Sequence, residues 1–352
     1  MNRRKTKKIK IGNVFIGGDS PIVVQSMLKT KPENLQETLN QTRALKNAGC
    51  ELIRMALPEI DTCKIIPFLK KETDIPIIGD VHFNHNIALK AMELGIDAIR
   101  INPGTINNTR KVKEIAHIAK ETKTPIRIGI NIGSIEKRIL GKHHKPGAHT
   151  MVESALYYTK LFEDIGWTEL KVSLKASDIY QTIEAYRKFS KLSDYPLHIG
   201  ITEAGPIFSG VIKSSIGIGI LLYLGIGDTM RVSLTGNPIY EVVAAYHILR
   251  DMGLRKRGIN IISCPTCGRC KTNLMEFVEE FEKDMANIDK YLNVAIMGCE
   301  VNGPGEAKEA DIGIAFSANK AVLFSKGTII RTGIPREMAK DVLKEEIYNM
   351  IA

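Results

Sequence analysis

Aromatic side chains are scarce in this chain: they make up 6% of its 352 residues, with a single tryptophan. RNA-binding modules interleave aromatics with basic residues along a strand or carry a recognised signature, and neither pattern occurs here. Cysteine is sparse too. Six in the whole chain are too few for a disulfide scaffold, and four of them fall between positions 264 and 299, a clustering that points to metal binding or catalysis. No apolar run approaches the roughly 18 residues of a membrane span, and no signal-peptide core follows the basic opening residues. The expected location is cytoplasmic, with no membrane partner. Also missing is a G-x-G-x-x-G after the first strand, which weighs against an open dinucleotide-binding sheet.

What the chain does have is positive charge and a strand–helix rhythm. Net charge is +10, and Arg3, Arg4, Lys5, Lys7, Lys8 and Lys10 form a basic arm that reads as a solvated lead-in to a strand. The excess suits a small anionic ligand or an acidic protein partner, and nucleic acid is not expected. Strand patterns recur at Ile22–Gln25, Leu52–Ala56, Pro76–Asp80, Ala98–Asn102, Pro125–Ile130, Leu170–Leu174, Leu197–Thr202 and Thr229–Leu234. Amphipathic helical stretches such as Glu33–Ala48, Thr109–Glu121 and Asp178–Ser190 lie between them. Eight such units predict an α/β fold, a (β/α)8 TIM-type barrel, for which about 250 residues is typical. A hairpin over Lys8–Phe15, turning at Gly12-Asn13, is expected to cover its bottom. Beyond the linker-like Arg255–Gly258 the pattern becomes a small α+β domain. The predicted boundaries are residues 1–255 for the hairpin and barrel, and 256–352 for the second domain.

Cys264, Cys267 and Cys270 form C-x2-C-x2-C, and Cys299 follows in Gly298-Cys299-Glu300-Val301-Asn302-Gly303-Pro304-Gly305-Glu306. C-x2-C spacing lets two thiolates reach one metal centre from a single turn. A zinc ribbon would need a second C-x2-C pair about 15–20 residues away, and a radical-SAM triplet would be C-x3-C-x2-C in the first barrel loop. One iron–sulfur cluster fits best. Its fourth ligand is open between an all-cysteine set and Glu306, whose hard carboxylate is more labile on iron than thiolate.

Catalytic groups of a barrel sit at the carboxyl ends of its strands. There the sequence offers Arg54, Asp80, Arg100 with Asn102, Arg127 with Asn131, Lys175, Glu203, and Arg231 with Ser233. The four arginines each lie between apolar residues, so period-two alternation points them into the barrel. With Asp80 and Glu203 as the evident acids, positive charge is left over, and guanidinium groups grip phosphate oxygens bidentately. Glu203 reads either as a proton donor or acceptor or as the ion-pair partner of Arg231. The loop 141–149 reads as a phosphate contact or as a solvent loop.

Seven motifs together give the chain a resemblance. Val24-Gln25-Ser26-Met27, Gly79-Asp80-Val81-His82-Phe83, Arg127–Ser134, Val172–Ser177 and Thr202-Glu203-Ala204-Gly205 run along the barrel. Ser263–Arg269 and Asn302-Gly303-Pro304-Gly305-Glu306 follow. Over nearly its whole length the chain resembles the 4-hydroxy-3-methylbut-2-en-1-yl diphosphate synthases of the methylerythritol phosphate route to isoprenoids, in their compact bacterial form. The resemblance implies a [4Fe–4S] cluster on Cys264, Cys267, Cys299 and Glu306, with Cys270 outside the ligand set. It implies reductive ring opening and dehydration of 2-C-methyl-D-erythritol 2,4-cyclodiphosphate, with electrons arriving singly from reduced ferredoxin or flavodoxin. Arg54, Arg100, Arg127, Lys175 and Arg231, with Asn102, Asn131 and Ser233, would hold the diphosphate. Glu203 would protonate the departing hydroxyl, Asp80 would organise the site, and the iron bound by Glu306 would exchange that ligand for a substrate oxygen.

The last barrel helix should return the chain to the bottom face, about 20 Å from the substrate for a helix of about 14 residues. The cluster domain must then either fold around the barrel or serve a second subunit, and the resemblance implies a head-to-tail homodimer. Two other readings stay open from sequence: a barrel lyase or aldolase with Lys175 as Schiff base and a zinc domain, and an RNA-binding protein using the basic arm.

Overall fold

A computed structural model describes residues 2–143, 145–286, 288–299 and 307–352. The chain divides into two compact units, Met1–Arg255 and Lys256–Ala352. The first opens with an antiparallel hairpin, β1 (Ile9–Ile11) and β2 (Val14–Ile16), turning through Gly12 at φ 56°. Eight parallel strands follow: β3 (Val23–Met27), β4 (Leu52–Ala56), β5 (Ile77–Val81), β6 (Ala98–Ile101), β7 (Ile126–Asn131), β8 (Leu170–Lys175), β9 (His198–Ile199) and β10 (Thr229–Met230). Their order is β8-β7-β6-β5-β4-β3-β10-β9. The Val172–Leu197 bridge and the 2.9 Å bond from Val172 N to Pro196 O join the two ends into a barrel. The predicted TIM-type fold is therefore the observed one.

Alternation along the strands sorts the residues as the sequence implies. Ile53, Met55, Ile99, Ile101, Ile126, Ile128, Val172 and Leu174 pack outward against the helices in one large core. Inward, at the amino end, Val23, Leu52, Ile78 and Ala98 meet Ile9, Ile11 and Ile16 of the hairpin. That second, smaller apolar layer closes the bottom of the barrel. Several helices start on Asn or Asp caps: Asn34, Asn84, Asn108 and Asp178 accept backbone N–H groups, as capping chemistry requires.

Two departures from expectation matter for the site. The last two strands are only two residues long rather than six, because the backbone turns away after Ile199 and Met230. Gly200 stands at φ 155°, and a Cβ there would come within 2.4 Å of the Arg231 carbonyl carbon–oxygen group, so only glycine lets these backbones approach. Glu203 and Ser233 therefore lie in loops beyond the strands. Arg127, in contrast, is the second residue of β7 and lies deep in the barrel rather than at the strand's carboxyl end.

The second unit is a five-stranded mixed sheet: β11 (Ile259–Ser263), β12 (Leu292–Met297) and β13 (Ile312–Phe316) are parallel, and β14 (Lys320–Ser325) and β15 (Thr328–Pro335) continue it antiparallel. Helices Leu274–Met285 and Ala339–Ile351 supply Leu274, Phe281 and Leu343 to one face. Ala307, Ala310 and Phe324 belong to an alanine-rich cluster with Ala295, Met297 and Ala315.

Candidate active site in the barrel and cysteine centre in the second unit

Paired positions across four neighbouring strands carry a row of charge. Asp80 pairs with Arg100, Arg100 with Arg127, and Arg127 with Lys171. Barrel strands tilt by about 36°, so such a row is not level. Gln25 pairs with Leu52 although Val23, two residues earlier, shares the bottom layer with Leu52. The paired position drops a layer at that step, whereas Ile78 and Ala98 pair within one layer; the row starts at Asp80, the fourth residue of β5, and ends at Lys171, the second residue of β8.

Near the mouth the charges are partly matched. Arg100 Nη1 donates to Asp80 Oδ1 at 3.0 Å and to His82 Nε2 at 2.6 Å, and Arg54 Nε lies 3.7 Å from Asp80 Oδ2. Burial alone would raise the Asp80 carboxyl, but Arg54 and Arg100 hold it well below the usual carboxylate range. Arg231 forms a two-pronged pair with Glu241, Nε to Oε2 and Nη2 to Oε1 both at 3.0 Å. Glu241 also accepts from Ser26 Oγ and Leu234 N, and lies 3.3 Å from Lys29 Nζ. Arg54 and Arg231 both reach the sulfur of Met27, at 2.8 and 3.7 Å, so they stand on either side of β3.

Beyond these pairs charge is unmatched, deep in the barrel at Arg127 and at the carboxyl end of β8 at Lys175. Arg127 is 2% exposed and its Nε and Nη1 have no partner among the described residues. Burial, then Arg54 and Arg100, push it well below its ordinary value, a pressure that a guanidinium resists because it is so strong a base. Lys175 is driven down by burial and then by Arg127, Arg54, Arg231 and Arg100. Its Nζ lies 2.8 Å from where a side chain on Gly200 would begin. Buried charge without a counter-charge is costly. The interior is built to be completed by an anion.

Of the residues expected at the site, Arg54, Asp80, Arg100, Arg127, Lys175 and Arg231 converge inside the barrel. Asn102 is buried and fully engaged: Oδ1 accepts from Gly104 N at 3.2 Å, and Nδ2 donates to Ser134 Oγ at 2.8 Å. It holds the loop after β6 to the loop after β7. The Asn131 carbonyl accepts from Ser134 Oγ at 3.1 Å, in that same loop. Glu203 is exposed at φ 53° and has no ion pair among the described residues, so Arg231 pairs with Glu241 and not with Glu203. In the loop 141–149, Lys142 and His143 are tied to Glu153 at 2.7 and 2.8 Å.

Sequence reasoning missed Lys171, His82 and Glu241. Lys171 was accessible to the same alternation that found the arginines, since Leu170, Val172 and Leu174 face outward around it. It is 1% exposed and its Nζ has no partner among the described residues. Burial first, then Arg127, keep its amine well below 10.5. Unfolding restores the ordinary value, so the unfolded chain binds the extra proton below pH 10.5, and this group's penalty on the fold grows as pH falls. Lys171→Met is expected to raise barrel stability by about 1–3 kcal/mol, the cost of an unsatisfied buried polar group. It should also flatten the rise of stability with pH on the alkaline side. Thermal unfolding between neutral pH and pH 10 checks both.

In the second unit, Cys264 follows β11 and Cys299 follows β12, and these strands are adjacent and parallel with Ser263 opposite Ile296. All six cysteines are free. Gly298 N–H donates to Cys264 Sγ at 3.4 Å, and a Cβ on Gly298 would come 2.5 Å from Cys270 Sγ and 3.5 Å from Cys264 Sγ. Glycine here makes room for sulfur. Thr266, inside the first C-x2-C, adopts φ 53°, a left-handed turn that bends the loop between Cys264 and Cys267. Cys267 is exposed and Cys299 buried. Among the described residues no three His, Cys, Asp or Glu side chains are placed to share a metal ion. Glu306, the non-cysteine ligand suggested by sequence, lies outside the described residues. The soft donors and the glycine cradle nevertheless suit an iron–sulfur centre better than a hard cation. Cys50 and Cys63 are unrelated to it; burial pushes their thiols up to about 12 and about 11, which keeps them protonated.

Comparison with known proteins decides the family. Residues 6–246 match the GcpE TIM-barrel domain and residues 260–349 the GcpE protein C-terminal domain. The chain belongs to the GcpE family. Among curated members, the 4-hydroxy-3-methylbut-2-en-1-yl diphosphate synthase (flavodoxin) of Geobacter sulfurreducens is 50% identical over 350 residues, covering 99% of both chains. That of Thermodesulfovibrio yellowstonii is 49% identical, covering 98% of this chain and 99% of its own. Among solved structures, the dihydropteroate synthase of Yersinia pestis matches with TM-score 0.50 and 15% identity, over 70% of this chain and 98% of that one. The type I 3-dehydroquinate dehydratase of Clostridium difficile matches with TM-score 0.51 and 14% identity, over 69% and 98%. These last two share the barrel fold alone with this GcpE-family chain. No helix of the described residues is long and apolar enough to cross a membrane.

Proposed function

We infer that this GcpE-family chain is an oxidoreductase of isoprenoid precursor synthesis, a 4-hydroxy-3-methylbut-2-en-1-yl diphosphate synthase that uses flavodoxin or ferredoxin as reductant. Its substrate is 2-C-methyl-D-erythritol 2,4-cyclodiphosphate. The observation that carries this reading is the buried Arg127, without a partner among the described residues and surrounded by Arg54, Arg100 and Lys175 inside the barrel, in a chain whose full-length relatives are named for making a diphosphate. In the overall change a ring C–O bond breaks with its oxygen left on phosphorus, a hydroxyl departs as water with an added proton, and two electrons enter the new double bond.

Each group has a task in this reading. Arg127 and Lys175, left without counter-charge, bind the diphosphate oxygens, with Arg54, Arg100 and Arg231 around them. Asp80 fixes Arg100 and Arg54, and Glu241 fixes Arg231, so these guanidinium groups are oriented before substrate arrives. Asn102 and Asn131, through Ser134, hold the loops at the mouth, and Ser233 lies on the loop after β10. Glu203 donates the proton to the departing hydroxyl. Cys264, Cys267 and Cys299, with Glu306, would hold a [4Fe–4S] cluster, which supplies single electrons and an iron able to exchange its carboxylate ligand.

The same reading includes a head-to-tail homodimer. Arg255, the last residue of the first unit, donates to Ile22 O at 2.9 Å and to Glu51 Oε2 at 2.6 Å. Ile22 and Glu51 immediately precede β3 and β4, so the chain leaves the barrel at its closed end, opposite the carboxyl ends of the strands. A partner subunit's cluster domain then serves each barrel, and specific activity should fall on dilution as sedimentation shows dissociation. Full activity of an isolated monomer would refute the dimer.

The deciding experiment for the reaction is anaerobic incubation of the iron- and sulfide-reconstituted chain with the cyclodiphosphate and dithionite. Conversion to the hydroxymethylbutenyl diphosphate, followed by phosphorus NMR, is expected; unchanged cyclodiphosphate would overturn the assignment.

A further inference from the structure

Cys270 is the one thiol of the C-x2-C-x2-C segment that the proposed ligand set leaves idle, and the structure gives it a definite place. The backbone N–H and carbonyl of Gly298 clip the segment at two points. Its N–H donates to Cys264 Sγ at 3.4 Å, and its carbonyl accepts from Lys271 N at 2.8 Å, next to Cys270. Both sulfurs crowd the position a Gly298 side chain would fill, at 3.5 and 2.5 Å, so they lie within about 6 Å of each other, and a disulfide between them requires the side chains to rotate to bonding distance. The Cys270 N–H bonds to Cys267 O at 2.9 Å and its thiol donates to Thr272 O at 3.2 Å, which keep it beside Cys264. Cys264 and Cys270 are both partly accessible, whereas Cys299 is buried.

We propose that Cys264 and Cys270 are a disulfide-forming pair that protects the cluster site when the chain is without its cluster. The proposal rests on the iron–sulfur reading above for its purpose, though not for its chemistry. The oxidant is a peroxide. Cys264 sulfur attacks one peroxide oxygen, the O–O bond breaks, and a sulfenic acid and one water result. Cys270 sulfur then attacks the sulfenic sulfur and the second oxygen leaves as water. Two thiols have lost two electrons and two hydrogens, and the peroxide has been reduced to two waters. Without Cys270, further peroxide carries Cys264 on to sulfinic and sulfonic acids, which thiol reductants do not reverse.

The test uses the full-length chain, freed of iron by a chelator under anaerobic conditions, then treated with hydrogen peroxide and alkylated. Arg269 lies between the two cysteines, so trypsin separates them unless they are cross-linked. A Cys264–Cys270 cross-link is expected by non-reducing mass spectrometry. Subsequent thiol reduction should restore iron and sulfide uptake to the level of untreated chain. Cys270→Ser, checked for an unchanged fold by circular dichroism, is expected to show over-oxidised Cys264 and several-fold lower uptake after the same treatment. Absence of the cross-link, a dominant link to Cys267 or Cys299, or equal over-oxidation in both chains would overturn the proposal. If untreated chain takes up no iron and sulfide, the iron–sulfur reading fails, and the cross-link is judged by mass alone.

Discussion

Cys299→Ser is expected to empty the second unit of iron and acid-labile sulfide, while Cys270→Ser keeps both. Cys299 is buried and follows β12 after Gly298, beside the strand that delivers Cys264. A serine hydroxyl there is a harder, more weakly acidic donor than a thiolate, and so a poor ligand for cluster iron. Cys270 differs in kind. Its sulfur donates to a carbonyl and packs beside the core that contains Leu274, so serine there costs a little packing and one weak bond. Iron and sulfide analysis after anaerobic reconstitution, together with visible charge-transfer absorption, reads the two variants directly. Cluster retained in Cys299→Ser, or lost in Cys270→Ser, would reassign the ligands.

The second large effect is expected at Glu203. Glu203→Gln should bind the cyclodiphosphate about as tightly as the parent chain and turn it over about 10²–10⁴-fold more slowly, the usual contribution of a positioned general acid. Glutamine keeps the size and hydrogen-bonding reach of the side chain and removes its transferable proton. Affinity should survive because the proposed function assigns the binding charge to Arg127, Lys175 and their neighbours, not to Glu203. The residue sits in the left-handed region at φ 53°, a conformation that costs a non-glycine residue roughly 1–2 kcal/mol. Phe83, after β5, is held in the same region at φ 56°, so both loops carry strain at the carboxyl end of the barrel, where such strain accompanies function. Single-turnover kinetics with the pre-reduced protein separates binding from chemistry. A near-normal rate for the variant would remove Glu203 as the acid.

Much of the barrel and its inner charge was legible because a strand has period two. Ile99-Arg100-Ile101 or Ile126-Arg127-Ile128 can be buried only one way round, so direction follows from the neighbours alone. Depth does not. Arg127 was placed at a strand end because alternation carries no information about barrel tilt and stagger, which decide how far down a paired position falls. Glu241 was invisible for another reason: it arrives from the helix after β10, and its meeting with Arg231, Lys29 and Ser26 exists only in the closed fold. The lengths of β9 and β10 were overestimated because Ile201, Val232 and Leu234 are as apolar as strand residues, while the close backbone approach at Gly200 ends the pairing. For the cysteines, spacing suggested three ligands in a row, and the packing of Cys270 and Cys264 against Gly298 depends on a residue 28 positions beyond Cys270 in the chain.

The apolar hairpin layer turns the barrel from a tube into a cup. Ile9, Ile11 and Ile16 against Val23, Leu52, Ile78 and Ala98 leave salt ions no entry from below, so mobile counter-ions approach the buried cations from the carboxyl end. Field lines from Arg127 and Lys175 are channelled along the axis toward that rim by the low-dielectric wall. Added salt should therefore slow the capture of a diphosphate far more than it hastens its escape. An anion once seated displaces the screening cloud and occupies ground that small ions reach only through the same opening.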